Sequence, residues 1–429
     1  MIILDSEKIL PFIVIVLVIG LSGSIYLYVD SQNDLTAALS YSEYIESELD
    51  AISESFVELS IRLENLSDAN SELETRIAEL ESIETITVVE KREVLLNITE
   101  SGEVRNIILL IGDGMGVGHL SAAEFENGEE ALTMSGLPYK SLVSTYSGSA
   151  YVTDSAAAGT ALATGYKTNN GRISMSTGGK NYTTVIEVAE ASGLSTGVVS
   201  TTRITHATPA CFMTHVSNRN MESIIASQIL VSGVEVLLGG GGTYFEPSTV
   251  SGAGYSLVSS TSELLSHSSG NILGLFNEGH LSYTGSRNPS VEPSLAQMTE
   301  KSIELLMEDP DGFFLMVEGG RIDHASHNND YVSTMDEVFA FDEAVFEALE
   351  FASIRNDTLV LVTADHDTGG LMVVGGYDYT GVNIDWISDD HTGSMVPLYG
   401  YGPRAEEIIS FKENTDIGEF ILELADRKN

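Results

Sequence analysis

The 429-residue chain contains little cysteine and little positive charge. Its single cysteine, Cys211, excludes an internal disulfide framework. Lys and Arg together number 20 against 63 Asp and Glu, which gives a formal net charge of −43. Binding of nucleic acid through a basic face is therefore excluded, because that affinity depends on neutralising phosphates. Disorder is also excluded, since 43% of the residues are hydrophobic and only 19% are charged.

The excess of acidic residues extends along the chain and does not form a local tail. Residues 101–429 alone carry 43 acidic and 15 basic residues, a net charge of −28. Such a surface is typical of a protein that stays soluble in high salt, where charge repulsion is screened. The alternative is an ordinary acidic protein without adaptation to salt.

The first thirty residues contain an apolar segment. Residues 9–29 carry no charge and are long enough to cross ~30 Å of hydrocarbon at ~1.5 Å per residue. Lys8 precedes this segment, and the next basic residue is Arg62. The distribution of positive charge therefore predicts a transmembrane helix within residues 1–30, a cytoplasmic amino terminus and an extracellular remainder at the cell surface. A cleaved signal peptide is the alternative, although the apolar run is longer than is usual for one.

Residues 31–100 contain a heptad pattern. Apolar residues recur from Ile45 to Leu80 in steps of four and three, a 3.5-residue period that is typical of a coiled coil. Leucine or isoleucine occupies each d position, and a single polar residue, Asn70, occupies an a position. This pattern favours a parallel dimer and fixes its register. We therefore predict a coiled-coil stalk and a homodimer; the alternative is one amphipathic helix packed on its own globular domain.

Short apolar strands alternate with helical segments from residue 106 onward. This alternation predicts an α/β fold, a three-layer α/β/α domain over residues 101–429 with a central, largely parallel sheet. Four strands are expected at 106–111, 196–200, 313–317 and 359–363. Each is followed by residues that can bind a metal, and active sites of open α/β sheets lie outside the carboxyl ends of the strands. We therefore expect one convergent site from Asp113, His206, Thr208, Glu318, Asp323, His327, Asp365 and His366.

The donor types indicate which metals this site suits. Asp323 and His327 are four residues apart and share one face if their segment is helical. Imidazole combined with carboxylate suits catalytic Zn²⁺, whereas an all-oxygen group from Asp113, Thr208 and Glu318 suits Mg²⁺. Residues 243–292 are interpreted as surface elaboration without chemistry. Four other histidines are interpreted as structural: His119, His215, His267 and His280.

Ser155 is the candidate nucleophile. Residues 152–165 predict a turn followed by an alanine-rich helix that opens at Ser155. A serine there lies at the positive end of the helix dipole, and a neighbouring Zn²⁺ would lower the pKa of its hydroxyl further. The alternative interpretation of Ser155 is an ordinary N-cap.

Taken together, these motifs resemble the alkaline phosphatase family. The matching segments keep the family's order over residues ~104–425. They are 113–116 (DGMG), 154–156 (DSA), 206–209 (HATP), Arg219, 318–327 with its Asp323 and His327, 365–366 (DH) and 391–393 (HTG).

The resemblance implies a site with two zinc ions and one magnesium ion. Arg219 would clamp the phosphoryl oxygens, and Asp154, His206 and His324 would lie nearby. The activity would be hydrolysis of phosphate monoesters at alkaline pH through a phosphoserine on Ser155, with phosphate released outside the cell. The implied ligands are Asp323, His327 and His391 for one zinc, Asp113, Asp365 and His366 for the second, and Asp113, Thr208 and Glu318 for magnesium.

Two positions depart from the pattern of the best-known bacterial members. His206 and His324 stand where those enzymes have Asp and Lys, as in animal enzymes, which leaves the third metal open. Only 24 residues separate His366 from His391, which suggests a reduced version of the family's surface insertion. A phosphodiesterase or sulfatase of the same superfamily is the alternative enzyme. The alternative outside enzymes is a surface or stalk protein with a structural metal site.

Overall fold

A nine-stranded sheet forms the centre of the fold. The computed structural model describes residues 102–128, 131–377 and 381–427, so the predicted transmembrane helix and coiled-coil stalk lie outside the described residues. Within those ranges, no helix is both long enough and apolar enough to cross a membrane. The strand order is β2-β13-β8-β1-β7-β3-β4-β6-β5. These strands are β1 Asn106–Ile111, β2 Tyr139–Val143, β3 Ser195–Arg203, β4 Val236–Gly240, β5 Ser256–Val258, β6 Ile272–Leu275, β7 Phe313–Glu318, β8 Thr358–Thr363 and β13 Val396–Tyr401.

The sheet is mostly parallel, as predicted. Strand β13 alone among the nine runs opposite to the other eight, and it pairs antiparallel with β8 and β2. Strand β1 lies in the interior of the sheet, between β8 and β7, and is buried along its whole length, which explains its apolar sequence. Four short strands form two separate antiparallel pairs: β9 Asp367–Thr368 with β12 His391–Thr392, and β10 Met372–Tyr377 with β11 Gly381–Asp385.

The helices form two packed groups, as an α/β/α arrangement requires. One group surrounds the long helix α10 and includes α1, α8 and α9, and the other includes α2, α3, α4 and α11. The bounds are α1 Val117–Glu126, α2 Ser155–Thr164, α3 Val185–Ser192, α4 Ala207–Met213, α5 Glu222–Ile229, α6 Pro247–Gly252, α7 Thr261–Ser266, α8 Leu295–Leu306, α9 Arg321–His327, α10 Tyr331–Ser353 and α11 Asn414–Ala425. Short 3₁₀ helices lie at Met134–Gly136, Gly242–Tyr244, Thr284–Ser286 and Ala405–Ser410.

The segment 243–292 is not surface elaboration, so that prediction is wrong. It supplies β5 and β6, which extend the central sheet to its edge. Ile272 and Leu273 of β6 are fully buried in the core. The serine and glycine residues of this segment lie both in its short helices and strands and in the turns between them, and they conceal the short apolar strand.

Candidate active site

Four adjacent strands end at the same edge of the sheet. Strands β8, β1, β7 and β3 are neighbours, and Ile111 at the end of β1 pairs with both Glu318 of β7 and Thr363 of β8. Ser200 of β3 in turn pairs with Glu318. The side chains that follow these strand ends are therefore brought together, as the sequence predicts.

The first cluster consists of Asp323, His327 and His391. Helix α9 presents Asp323 and His327 on one face, with 3.4 Å between Asp323 Oδ1 and His327 Nε2. His391 Nε2 lies 3.6 Å from the same carboxylate oxygen. His327 Nδ1 donates to the carbonyl of Asp389 at 2.7 Å, and His391 Nδ1 donates to the carbonyl of Thr153 at 2.9 Å. Because Nδ1 of each ring donates to a carbonyl, the two Nε2 atoms, which lie 3.1 Å apart, are the ring nitrogens that can bind a metal.

The second cluster lies around His366. Potential ligand atoms of Asp113, Asp323 and His366 lie within 4.8 Å of one another, and all three residues are buried. Asp365, the third ligand implied by the resemblance, places its Oδ2 at 3.2 Å from His366 Nε2. Asp323 therefore belongs to the first cluster and the second, which makes it a bridge between them.

The third cluster combines Asp113 and Glu318 with His206, whose potential ligand atoms also lie within 4.8 Å of one another. Thr208, in helix α4, donates its hydroxyl to Asp113 Oδ2 at 3.4 Å. Glu318 Oε2 accepts from the hydroxyl of Thr202 at 3.1 Å. Asp113 thus links the third cluster to the second.

The electrostatics of these clusters favour the binding of cations. Asp113 Oδ1, Glu318 Oε1 and Asp365 Oδ2 are buried without a hydrogen-bond partner in the described part of the chain. Burial, with repulsion from the neighbouring carboxylates, raises the pKa of Asp113 well above its usual range and that of Asp365 to about 8. Burial lowers the pKa of His366 well below its usual range, so the ring is neutral, the form that binds metals. Divalent ions fit this donor set, because they would compensate the buried carboxylates.

Ser155 lies beside the second cluster. It is the first residue of α2, is 1% exposed, and places its Oγ 3.3 Å from His366 Nε2. The N-cap of α2 is Asp154, whose side chain accepts from the Ala157 N–H at 3.0 Å. The alternative interpretation of Ser155 as the N-cap is therefore wrong, and its hydroxyl remains available to the metal clusters.

Arg219 lies in the loop after α4, and its side chain extends to the start of helix α2. Its Nη1 donates to Asp154 Oδ2 at 3.2 Å, and its Nη2 donates to His206 Nε2 at 3.1 Å. Its guanidinium therefore lies between the start of helix α2 and the third cluster. That fork geometry can bind two oxygens of one phosphoryl group.

Comparison with known proteins identifies the family of this chain. A family model described as alkaline phosphatase matches residues 104–385. The chain belongs to the alkaline phosphatase family. Alkaline phosphatase 3 of Bacillus subtilis is 40% identical, with 75% of this chain and 88% of that protein covered. Alkaline phosphatase of Escherichia coli is 34% identical, with 73% and 84% covered. The solved structure of a cold-active alkaline phosphatase from Shewanella sp. is 31% identical, covers 75% of this chain and 99% of its own, and gives a TM-score of 0.70.

One histidine that we interpret as structural, His280, lies beside the site. His280 follows β6, and the centre of its ring lies 4.4 Å from that of His324 and 5.4 Å from that of His206. Its Nδ1 accepts from the backbone N–H of Arg203 at 3.2 Å. Its position shortly after the carboxyl end of a parallel strand is the signal that could have identified it.

The other three histidines that we interpret as structural lie in ordinary hydrogen-bond networks. The His119 ring accepts from the Gly116 N–H at 3.2 Å, His215 contacts Glu187 at 3.0 Å, and His267 donates to the Gly270 carbonyl at 3.1 Å.

Proposed function

We propose that this member of the alkaline phosphatase family hydrolyses phosphate monoesters at alkaline pH through a phosphoserine on Ser155. The observation that carries the proposal is the placement of Ser155 Oγ next to His366, at the start of the helix whose cap, Asp154, holds Arg219. A nucleophile and a phosphoryl clamp therefore flank one space beside the carboxylate clusters.

The chain's own residues would carry out the following steps. Arg219 binds two phosphoryl oxygens and orients the substrate in line with Ser155. Ser155 Oγ gives its proton to solvent and attacks phosphorus, the bond between phosphorus and the leaving oxygen breaks, and that oxygen takes up a proton from water. Water then attacks the phosphoserine from the opposite side and loses a proton, the bond from phosphorus to Ser155 Oγ breaks, Oγ takes up a proton, and inorganic phosphate leaves.

We assign two zinc ions and one magnesium ion to the three clusters. Asp323, His327 and His391 would hold one zinc, since mixed imidazole and carboxylate donors suit it. Asp113, Asp365 and His366 would hold the second zinc; Asp113, Thr208 and Glu318 would hold magnesium through oxygen. When bound, these ions lower the pKa of the serine hydroxyl and stabilise the charge that develops on the phosphoryl and leaving oxygens.

His206 should influence which metal the third cluster prefers. A solved variant of the alkaline phosphatase from the Antarctic bacterium TAB5 has a histidine replaced by aspartate and magnesium bound in a site named M3. An exchange of this kind supports the expectation that an imidazole in place of a carboxylate changes the preference between magnesium and a transition metal.

The location and assembly of the enzyme are also proposals. The apolar residues 9–29 would anchor it in the membrane with the catalytic domain outside the cell, and the heptads from Ile45 to Leu80 would make it a homodimer. A peptide of residues 40–85 should sediment as a helical dimer in high salt, and Asn70→Ile should relax its oligomeric state. A monomeric peptide would contradict the stalk.

Ser155→Ala tests the mechanism. Turnover of an aryl phosphate, with zinc and magnesium present, should nearly vanish, and no phosphoserine should be trapped at acidic pH. Ser302→Ala is the matched control, because Ser302 is an equally buried helical serine in α8 whose hydroxyl donates to the Met298 carbonyl. Undiminished turnover in Ser155→Ala would refute the mechanism. Faster hydrolysis of an aryl diester or an aryl sulfate than of the monoester would favour the alternative enzymes instead.

A further inference from the structure

The backbone of Gly171 connects the start of helix α2 to Arg219. The N–H of Gly171 donates to Asp154 Oδ2 at 2.9 Å, the same oxygen that accepts from Arg219 Nη1. The carbonyl of Gly171 accepts from the backbone N–H of Arg219 at 2.8 Å. Gly171 therefore contacts the N-cap of α2 on one side and the main chain that carries the guanidinium on the other.

The turn that carries Gly171 is held in place from several sides. The Asn170 side chain donates to the carbonyl of Val152 at 3.1 Å, and its backbone N–H donates to the Ser149 hydroxyl at 3.1 Å. At the base of the turn, Lys167 Nζ donates to Asn414 Oδ1 at 2.7 Å. These bonds tie the turn to the loop before Ser155 and to helix α11. Because these bonds fix the turn, the conformation of Gly171 can affect the positions of Asp154 and Arg219.

The conformation of Gly171 decides where its two polar groups point. Its φ of +82° lies in the left-handed region, which L-residues with a Cβ rarely adopt. A Cβ built on Gly171 would meet no heavy atom within 4 Å. Replacement by alanine would therefore act by disfavouring the backbone conformation and would not introduce a steric clash.

We propose that Gly171 is a positioning residue, which sets the distance between the Ser155 helix and Arg219 and so prepares the site to bind a phosphoryl group. This inference rests on the proposed function of Arg219 as the phosphoryl clamp. Gly171 itself touches no reacting atom; it acts through Asp154 and through the main chain of Arg219.

The chain offers a matched control at Gly179. This glycine has the same φ of +82°, also has no heavy atom within 4 Å of a built Cβ, and lies in the turn between Ser176 and Lys180. Gly171→Ala and Gly179→Ala should therefore lower thermal stability to a similar extent. Gly171→Asn supplies the rescue, because asparagine tolerates the left-handed conformation better than alanine does.

The experiment measures binding of inorganic phosphate to the metal-loaded full-length enzyme by calorimetry, together with KM and kcat on an aryl phosphate, thermal melting and bound metal. In Gly171→Ala we expect the dissociation constant of phosphate and KM to rise about tenfold, the size expected when a hydrogen bond to a charged group is weakened. Gly171→Asn should recover most of this loss, Gly179→Ala should leave phosphate binding unchanged, and metal content should be the same in all variants.

The outcomes separate this inference from the proposed function. Equal phosphate binding in Gly171→Ala and Gly179→Ala would overturn the positioning role, as would a loss in Gly171→Ala that asparagine does not reduce. Wild-type protein that does not bind phosphate would overturn it as well, since the role depends on Arg219. Wild-type protein that binds phosphate but does not hydrolyse monoesters would refute only the proposed function.

Discussion

Replacement of Arg219 by alanine tests the phosphoryl clamp most directly. The two terminal nitrogens of Arg219 already make hydrogen bonds at 3.2 and 3.1 Å to Asp154 and His206, so its fork is oriented before substrate arrives. Loss of two charge-assisted hydrogen bonds to a phosphoryl group costs about 3 kcal/mol or more. At about 1.4 kcal/mol for each factor of ten, kcat/KM should fall at least about a hundredfold.

The same change should have little effect on folding. Asp154 keeps its bonds from the N–H groups of Ala157 and Gly171, so no buried carboxylate is left without a donor. The side chains of the Arg219–Asp154 pair are 23% and 19% exposed, so breaking it should cost more than the about 0–1 kcal/mol of an exposed pair and less than the about 3–5 kcal/mol of a fully buried one. The melting temperature should therefore fall by only a few degrees.

The assay for Arg219→Ala combines steady-state hydrolysis of an aryl phosphate, the inhibition constant of inorganic phosphate, and thermal melting. Arg219→Lys serves as the control for charge, because lysine keeps the positive charge but cannot bind two oxygens in a planar fork. The kcat/KM and the inhibition constant for phosphate of Arg219→Lys should lie between those of wild type and Arg219→Ala. An unchanged inhibition constant for phosphate in Arg219→Ala would refute the clamp. A fall in melting temperature of ten degrees or more would show that Arg219 serves mainly to maintain the structure.

Three further predictions concern metal choice, pH and salt. The paired change His206→Asp with His324→Lys adds a carboxylate and a fixed cation, so it should raise the preference for magnesium and tighten inhibition by phosphate. Unchanged metal content together with unchanged inhibition would show that neither histidine affects metal choice or phosphate binding. Burial raises the pKa of Glu190 to about 7, so the stability that this carboxyl contributes is present at acidic pH and lost as the pH rises through about 7. Glu190→Gln should therefore melt higher than wild type at pH 9 and show no such gain at pH 5, and an equal difference at both values would contradict this. Melting temperature should also rise from low to molar salt, since the Debye length falls from ~10 Å at 0.1 M to ~3 Å at 1 M; a flat response would contradict salt adaptation.

The location of the site could be predicted from the sequence because it depends on topology. Polar residues that follow apolar strands, such as Asp113 after β1 and Glu318 at the end of β7, must lie at the carboxyl edge of a parallel sheet. The four strands in question are also neighbours in the observed order. The prediction that Asp323 and His327 share one face depended only on a local helix, and α9 forms that helix.

The details that the sequence did not predict depend on contacts between distant segments. Asp154, and not Ser155, caps helix α2, because its carboxylate also accepts from Gly171, seventeen residues later. His280 lies against His324 only because β6 joins the central sheet, and a four-residue strand in a serine- and glycine-rich segment has too little pattern to be recognised.

The sharing of carboxylates connects the three clusters of the site. Asp323 belongs to the first and second clusters, and Asp113 belongs to the second and third, so the three clusters form one continuous row. A cation in one cluster lowers the cost of ionising a carboxylate that also serves the next cluster, because the buried groups otherwise repel one another. Ser155 and Arg219 approach this row from one helix start and one loop, and Asp154 connects them. Arg219 is not a member of this row, so it can be replaced without removing any of the residues that form the three clusters.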